Sequence, residues 1–236
     1  ELEQLKTNFI STISHEFKTP LTSIMMGTSL LNDGTVGRLN TEQGRILISI
    51  EEDCCKLSNL VDDLLYMSKI ESKDAAYDMK YVSINELVDE ATKPFYIQSA
   101  SKGVSLHVVT PLNLPKVYVD REKIIWVINN LLGNALKYTN NKDEISVGAS
   151  VQNEKILITI SDTGIGIPGD YLEKIFDQFV QVENSDLEIR GTGLGLFIAR
   201  EIVRSHGGKI WCKSQLDKGS SFTFSLPLNN STATKI

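Results

Sequence analysis

Apolar residues recur at steps of three and four from the N-terminus onward: Leu2, Leu5, Phe9, Ile13, Phe17, Leu21, Ile24 and Leu31. That is the period of an α-helix with one buried stripe. A second stripe (Leu47, Ile50, Cys54, Leu57, Val61, Leu64) follows after only "NDGTVGRLN", residues 32 to 40, a segment rich in turn-forming Asn, Asp and Gly. Two long helices joined by a short loop make a hairpin. Such a hairpin has too little partner surface to cover both stripes by itself, so pairing with a second copy into a four-helix bundle is its natural completion, and a homodimer is expected. Packing of the hairpin onto the rest of its own chain is the alternative.

After "SKIESKDAAYDMKY", residues 68 to 81, a polar stretch with the composition of a domain boundary, the periodicity changes. Short β-like runs at 104–109, 144–151, 155–161, 209–214 and 221–226 now alternate with amphipathic helices near 85–101, 121–138 and 193–206. The runs at 144–151 and 155–161 flank "QNE", a hairpin-length connection, so at least part of the sheet is antiparallel. The expected fold class is α+β: a helical hairpin over 1–70 forming the dimeric bundle, a linker over 71–80, and an α/β sandwich with helices on one face over 81–230.

Bulk properties narrow the function. The 236 residues are 41% hydrophobic and carry a formal net charge of -6, enough for two modest domains and without the basic field that nucleic acid or an anionic membrane would select. Any phosphate site must therefore be local. Cys54, Cys55 and Cys212 form neither a metal pair nor an even disulfide framework, which favours a reducing setting. No apolar run reaches the roughly 20 residues of a membrane span. A chain that begins with Glu1 reads as a cytoplasmic piece, any membrane attachment lying in a missing N-terminal region.

Four segments carry the chemistry. In "FISTISHEFKTPLTSI", residues 9 to 24, rotation by about 100° per residue puts His15 roughly 160 to 180° from Phe17 and Ile24, on the polar face with Ser11, Thr12, Lys18, Thr19 and Thr22, and with Glu16 alongside. Taken alone, an idle surface histidine would look the same. Pro20 offers no N–H to the carbonyl of Glu16, a defect of roughly 3 kcal/mol in a helix interior, so the helix should bend or loosen one turn from His15.

In "INNLLGNALKYTN" (128–140), Asn130 and Asn134 stand at i and i+4, with Lys137 a turn further along. Asparagine is a poor helix former, and two in register suggest a ligand for their amide oxygens. A Mg²⁺ that bridges phosphates suits them, with Lys137 as a point charge on phosphate; a solvated polar face is the plain alternative.

"ISDTGIGIP" closes a strand with Asp162, Gly164 and Gly166, an acceptor for an amino group beside glycines that let backbone close on a flat ring, although an ordinary glycine turn explains it equally well. "RGTGLGLFIAREIVRSHGG" sets Gly191, Gly193 and Gly195 at the mouth of a helix, where free amides bind phosphate. Neither a Rossmann GxGxxG after a first strand nor a GxxxxGK[ST] loop is present. Between these loops, "FDQFVQVENSDLEIR" (176–190) has the length and polarity of a lid.

In this order the segments resemble one family, the sensor histidine kinases of bacterial two-component systems. "SHEFKTPL" is similar to its H-box, "NNLLGNALKYT" to its N-box, "DTGIGIP" to its first glycine box, "IFDQF" to its F-box and "GTGLGL" to its second glycine box. The resemblance spans nearly the whole chain. It implies a dimerisation and histidine phosphotransfer domain followed by an ATP-binding domain of the gyrase and histidine kinase type, with ATP and Mg²⁺ as cofactors and a response regulator receiver domain as partner. It also implies His15 as phosphoacceptor, Glu16 as its acid/base neighbour, and Thr19 as the residue orienting water in dephosphorylation of the partner. Asn134 would be the chief Mg²⁺ ligand with Asn130 in support, Lys137 and Tyr138 would lie near phosphate and nucleotide, and Asp162 would meet the adenine amino group. The second glycine box, Gly191, Thr192, Gly193, Leu194, Gly195 and Leu196 after Arg190, would wrap the phosphates.

One position departs from the pattern. Many members carry arginine two residues after the second F-box phenylalanine, where this chain has Gln181; Arg190 or Lys137 would then supply the γ-phosphate contact. A nucleotide-binding dimeric scaffold that transfers no phosphate, and an ATP-driven clamp sharing only the nucleotide fold, are the rival functions; the clamp leaves the His15 segment unexplained.

Overall fold

The computed structural model describes residues 2–71, 77–182 and 192–228, and the chain forms two compact units, Glu1–Ala76 and Tyr77–Ile236.

The first unit is a helical hairpin of α1 (Leu2–Asn32) and α2 (Thr41–Glu71). Gly34, at φ 71°, ends α1 by donating its N–H to the carbonyl of Leu31 at 3.3 Å, the left-handed termination that glycine permits. A reciprocal cap starts α2: the Asn40 side chain accepts from the N–H of Gln43 at 2.8 Å, and the Gln43 side chain accepts from the N–H of Asn40 at 2.9 Å. α1 runs through Pro20 as one helix, with no N–H at that position to reach the carbonyl of Glu16.

The covered seam repeats every seventh residue. Ser14, Leu21 and Thr28 are buried on α1, and Leu47, Cys54, Val61 and Ser68 on α2, the spacing of side chains meeting across a coiled coil. Much of the expected stripe lies beside this seam: Phe17 (52% exposed), Ile24, Leu31, Ile50 and Leu57 remain open in the single chain. A Lys18–Asp62 ion pair at 2.5 Å ties the two helices on their polar side.

The second unit contains β1 (Met79–Val82), α3 (Ile84–Lys102), β2 (Ser105–Val109), β3 (Val117–Asp120), α4 (Arg121–Tyr138), β4 (Glu144–Gln152), β5 (Lys155–Asp162), α5 (Gly195–Ser205), β6 (Lys209–Gln215) and β7 (Gly219–Pro227). Five strands form one sheet in the order β2-β4-β5-β7-β6, parallel only between β2 and β4. The "QNE" connection is the expected hairpin: Asn153 and Glu154 have φ of 47° and 59° between the paired Gln152 and Lys155, the handedness that matches strand twist. Two strands escaped the sequence reading. β1 and β3 are four residues each, too short to display alternation, and they pair antiparallel with each other apart from the main sheet.

The three helices pack on one side of the sheet, α3 against β2, α4 against β5, and α5 against β6 and β7. Facing them are two apolar rows across four strands, Ile210–Phe224–Ile158–Ala149 and Cys212–Phe222–Ile160–Val147. Phe224 and Ile158 are fully buried. The opposite face carries hydroxyls paired across strands, Thr159 with Thr223 at 3.0 Å and Ser161 with Ser221 at 2.8 Å, as suits the wetter side. Among the described residues no helix is long and apolar enough to cross a membrane.

Candidate functional site

The face of α4 bearing Asn130, Asn134 and Lys137 is the spine of the site in the second unit. Its helix is held at both ends. Asp120 caps the start, accepting from the N–H of Lys123 at 3.1 Å through one oxygen and from the N–H of Asp78 at 2.9 Å through the other. At the far end Lys102, from the last turn of α3, donates to the carbonyls of Leu136 at 2.5 Å and Lys137 at 3.2 Å, a cation where the helix dipole is negative.

Both glycine loops are built against this helix. Gly164 lies so close to the end of α4 that a Cβ there would stand 2.2 Å from the carbonyl oxygen of Tyr138, and the N–H of Ile165 donates to that same oxygen at 3.3 Å. Gly195, the first residue of α5, has the same intimacy with Asn130: a Cβ would come 2.2 Å from its amide nitrogen. From Asn130 to Tyr138 the helix rises about 12 Å, so the two loops bracket a row of amide, amide, ammonium and ring.

Within the row, the amide of Asn134 donates to Oδ1 of Asn130 at 3.4 Å, so the Asn134 oxygen takes no part in that bond. Lys137 holds its ammonium 4.9 Å from the centre of the Tyr138 ring.

Asp162 ends β5 at the floor of the first loop, 9% exposed. Its Oδ1 accepts from the N–H groups of Gly164 at 2.9 Å and Ser220 at 3.2 Å, and among the described residues Oδ2 has no protein donor. Burial raises its pKa above the ordinary carboxylate value, with the two backbone N–H groups pulling the other way. Gly166, at φ 71°, is pinned under the β6–β7 turn, where a Cβ would meet the carbonyl oxygen of Gln215 at 2.0 Å.

In the second loop, Gly193 has φ 71°, its carbonyl accepts from the N–H of Phe179 at 3.0 Å, and the Thr192 hydroxyl accepts from the N–H of Leu194 at 3.1 Å. The Leu194 side chain is buried, so this residue anchors the loop in the core, while Gly195 and Leu196 stand in the first turn of α5, whose leading N–H groups have no intrahelical acceptor. Asp177, just past the buried Phe176, pairs with Arg200 of α5 at 3.2 Å and ties the "IFDQF" segment to that helix. Arg190, Gly191 and the end of the expected lid, 183–190, lie outside the described residues.

In the first unit His15 stands in α1, and its side chain, like that of Ser11, lies outside the described residues. Thr12, Glu16, Thr19 and Thr22 on the surrounding turns are exposed.

The donor set fits a nucleotide with an oxygen-loving cation. Among the described residues no group of three or more His, Cys, Asp or Glu could hold a metal, so a cation here would rest on amide oxygen, water and phosphate, the coordination that Mg²⁺ favours.

Sequence comparison gives this arrangement its family. Residues 119–230 match the histidine kinase-, DNA gyrase B- and HSP90-like ATPase family, and residues 5–73 match the His kinase A phospho-acceptor domain. The chain belongs to the sensor histidine kinase family. Its two matched segments correspond to the phospho-acceptor and ATPase domains of that family. It is 33% identical to the sensor histidine kinase WalK of Bacillus subtilis over 234 residues, covering 96% of this chain and 37% of that protein. It is 32% identical to the sensor protein RprX of Bacteroides fragilis, covering 97% of this chain and 44% of that protein. The crystal structure of full-length ShkA in complex with AMPPNP superposes with a TM-score of 0.77 at 27% identity, over 93% of this chain and 45% of that one. The chain thus spans less than half the length of these curated relatives.

Several residues that shape the site were not singled out from sequence: Lys102, Ser214, Gly219, Ser220 and the buried His206. Ser214 and Ser220 had a legible signal, because they are the only polar residues of inward parity in the runs Ile210, Cys212, Ser214 and Ser220, Phe222, Phe224, Leu226.

Proposed function

We propose that this chain transfers the γ-phosphoryl group of ATP to His15 and from there to an aspartate on the receiver domain of a response regulator. Residues 1–70 would serve as dimerisation and phosphotransfer domain and 81–230 as catalytic domain, joined through 71–80. The observation that supports this reading best is the convergence of both glycine loops on the Asn130–Asn134–Lys137 face of α4, a phosphate-binding arrangement with no basic cluster of its own.

Asp162 takes the amino group of adenine on its free oxygen. Lys137 and the amides at the start of α5 hold the phosphates. Asn134, supported by Asn130, holds a Mg²⁺ that neutralises charge on the phosphate oxygens when bound. A neutral imidazole nitrogen of His15 forms the bond to the γ-phosphorus, the bond from phosphorus to the bridging oxygen breaks, and the electron pair leaves with ADP. Glu16 accepts a hydrogen bond from the other ring nitrogen and stabilises the positive charge that develops. An aspartate carboxylate of the receiver then displaces the histidine nitrogen from phosphorus, and Thr19 orients the water that later removes the phosphate from that aspartate. The chemistry asks of the protein mainly alignment and charge neutralisation.

The open stripe of Phe17, Ile24, Leu31, Ile50 and Leu57 beside a covered heptad seam supports a homodimer, since a second hairpin would bury it. Incubation with γ-labelled ATP should label the wild-type chain in an acid-labile, alkali-stable form and leave His15→Ala unlabelled. Asn134→Ala should lose labelling while His15 remains. Labelled His15→Ala, or wild type that binds ATP without label, sinks the kinase reading and favours the scaffold. A mixture of His15→Ala with Asn134→Ala regains label if one subunit serves the other's histidine.

A further inference from the structure

α3 and α4 lie side by side and run in the same direction. Arg121, the first residue of α4, pairs with Glu90 in the second turn of α3, while Lys102 in the last turn of α3 reaches the carbonyls of Leu136 and Lys137 in the last turn of α4. Two parallel helices therefore end together, and each end is a negative pole of carbonyls without intrahelical donors. The pole of α4 coincides with the end of the row where Lys137, Tyr138 and the first glycine loop meet.

The juncture of the two ends is closely tied. Gly103 terminates α3 at φ 72°, and its carbonyl accepts from the N–H of Lys142 at 2.9 Å. The N–H of Ser105 donates to the carbonyl of Asp143 at 3.0 Å. Glu144 and Thr163 then bond each other twice, the N–H of Glu144 to the Thr163 hydroxyl at 2.9 Å and the N–H of Thr163 to the Glu144 carbonyl at 3.1 Å. A continuous set of bonds thus runs from the end of α3, through the connection between α4 and β4, to the residue before Gly164. Within that frame the last-turn carbonyls of α4 are shared out: Tyr138 accepts from the N–H of Ile165, Leu136 from the Thr139 hydroxyl at 3.1 Å and from Lys102, and Lys137 from Lys102. Of these donors Lys102 is the one that brings a full positive charge.

We propose that Lys102 is a positioning residue for polyphosphate binding: its ammonium cancels the negative end of α4 and holds the last turn that presents Lys137, so that an anionic ligand can lie along the Asn130–Asn134–Lys137 face. This rests on the reading that phosphates occupy that face. A helix start attracts an anion and a helix end repels one, so a phosphate chain set between the start of α5 and the end of α4 is drawn to the first and opposed by the second. Lys137 meets the ligand from the face of α4. Lys102 comes from α3, engages the carbonyls, and acts on the ligand only through the helix. A cation at a helix end changes the affinity of such an anion by about two- to fivefold, and salt screens the effect where the charge is exposed.

The test titrates the whole chain with ADP and with adenosine, its uncharged counterpart, by calorimetry in magnesium-free buffer at low salt. The wild type should prefer ADP. Lys102→Met should weaken ADP by about two- to fivefold and leave adenosine unchanged. That loss should shrink as salt rises, since Lys102 is exposed. Lys102→Arg, which keeps the charge, should bind both ligands as the wild type does. Lys102→Gln keeps a donor for the carbonyls and loses the charge; it should behave as Lys102→Met, and it carries the test should Lys102→Met fail to fold. Equal losses for ADP and adenosine, a loss that salt does not change, or wild-type ADP affinity in the neutral variants overturns the role of Lys102 and leaves the reading of the site standing. A wild-type chain that binds ADP no better than adenosine overturns both.

Discussion

Replacing Gly164 by alanine tests how rigidly the first glycine loop is built onto α4. The added Cβ would stand 2.2 Å from the carbonyl oxygen of Tyr138 and 2.9 Å from its carbon, backbone atoms that no side-chain rotation can clear, and Gly164 is not among the glycines with positive φ. Relief requires the loop to lift. That motion breaks the Ile165 to Tyr138 bond at 3.3 Å and the Gly164 to Asp162 bond at 2.9 Å. A neutral backbone bond contributes about 1 kcal/mol net and one to a charged group about 1.5 to 3, so the variant should lose roughly 2 to 4 kcal/mol. For a unit of this size that is about 4 to 16 °C in unfolding temperature. The control is Gly169→Ala on the same segment, where no atom lies within 4 Å of the added Cβ; it should stay within about 0.5 kcal/mol of wild type. Calorimetric unfolding of both variants measures the difference, and nucleotide titration at low temperature should show weaker ADP binding for Gly164→Ala alone. Equal unfolding temperatures for the two variants would refute the latch.

His206 should make the second unit acid-sensitive: its Nε2 accepts from the N–H of Asp120 at 3.0 Å, its Nδ1 donates to the carbonyl of Ile202 at 2.7 Å, and Tyr77 meets its ring edge at 5.2 Å. Burial lowers its pKa against the pull of the Ile202 bond, so the unfolded chain binds the proton more readily; its stabilising contribution is full above about pH 6.5 and declines as pH falls below that value. Denaturant midpoints from about pH 7.5 to 5 should fall more for wild type than for His206→Gln, and parallel curves would count against it. Cys212, its pKa pushed up to about 12 by burial and by the charge of Asp162, should resist alkylation at pH 8 in the folded protein while exposed Cys55 reacts; mass mapping of the labelled peptides decides. Leu57→Glu places a charge on the open stripe of α2 and should shift the chain from dimer to monomer in light scattering without melting the hairpin, whose covered seam runs through Cys54 and Val61; an unchanged mass would place the dimer surface elsewhere.

The long elements were legible because their periodicities are local. α4 was expected over 121–138 and occupies Arg121–Tyr138, its start set by the Asp120 cap and its stripe filled by Ile124, Val127, Ile128, Leu131, Leu132 and Ala135. The β4–β5 hairpin was legible from the two residues between its strands. β1 and β3 were not, since four residues show too little alternation and their pairing joins segments far apart in the chain. Asp162, Gly164, Asn130, Asn134 and Lys137 could be read as candidates from residue type and spacing, and the structure gathers them along one helix. The neighbours that hold them there, Lys102 on the end of α4 and Ser214 beneath the loop, depend on contacts between distant residues that no short window displays.

What the chain's letters determined by themselves was the succession of helices and strands, the turns between them and the family to which the boxes belong, because each rests on preferences acting over a few residues. The tertiary structure decided which apolar positions of the hairpin are covered, that both glycine loops lean on the same helix, and that Ser214, Ser220 and Asp162 fall in one row. Those outcomes follow from helix packing and strand register, and register is settled by burying a whole face at once: a slip of one residue would turn every side chain of a strand to the other side, the inward Asp162 among them.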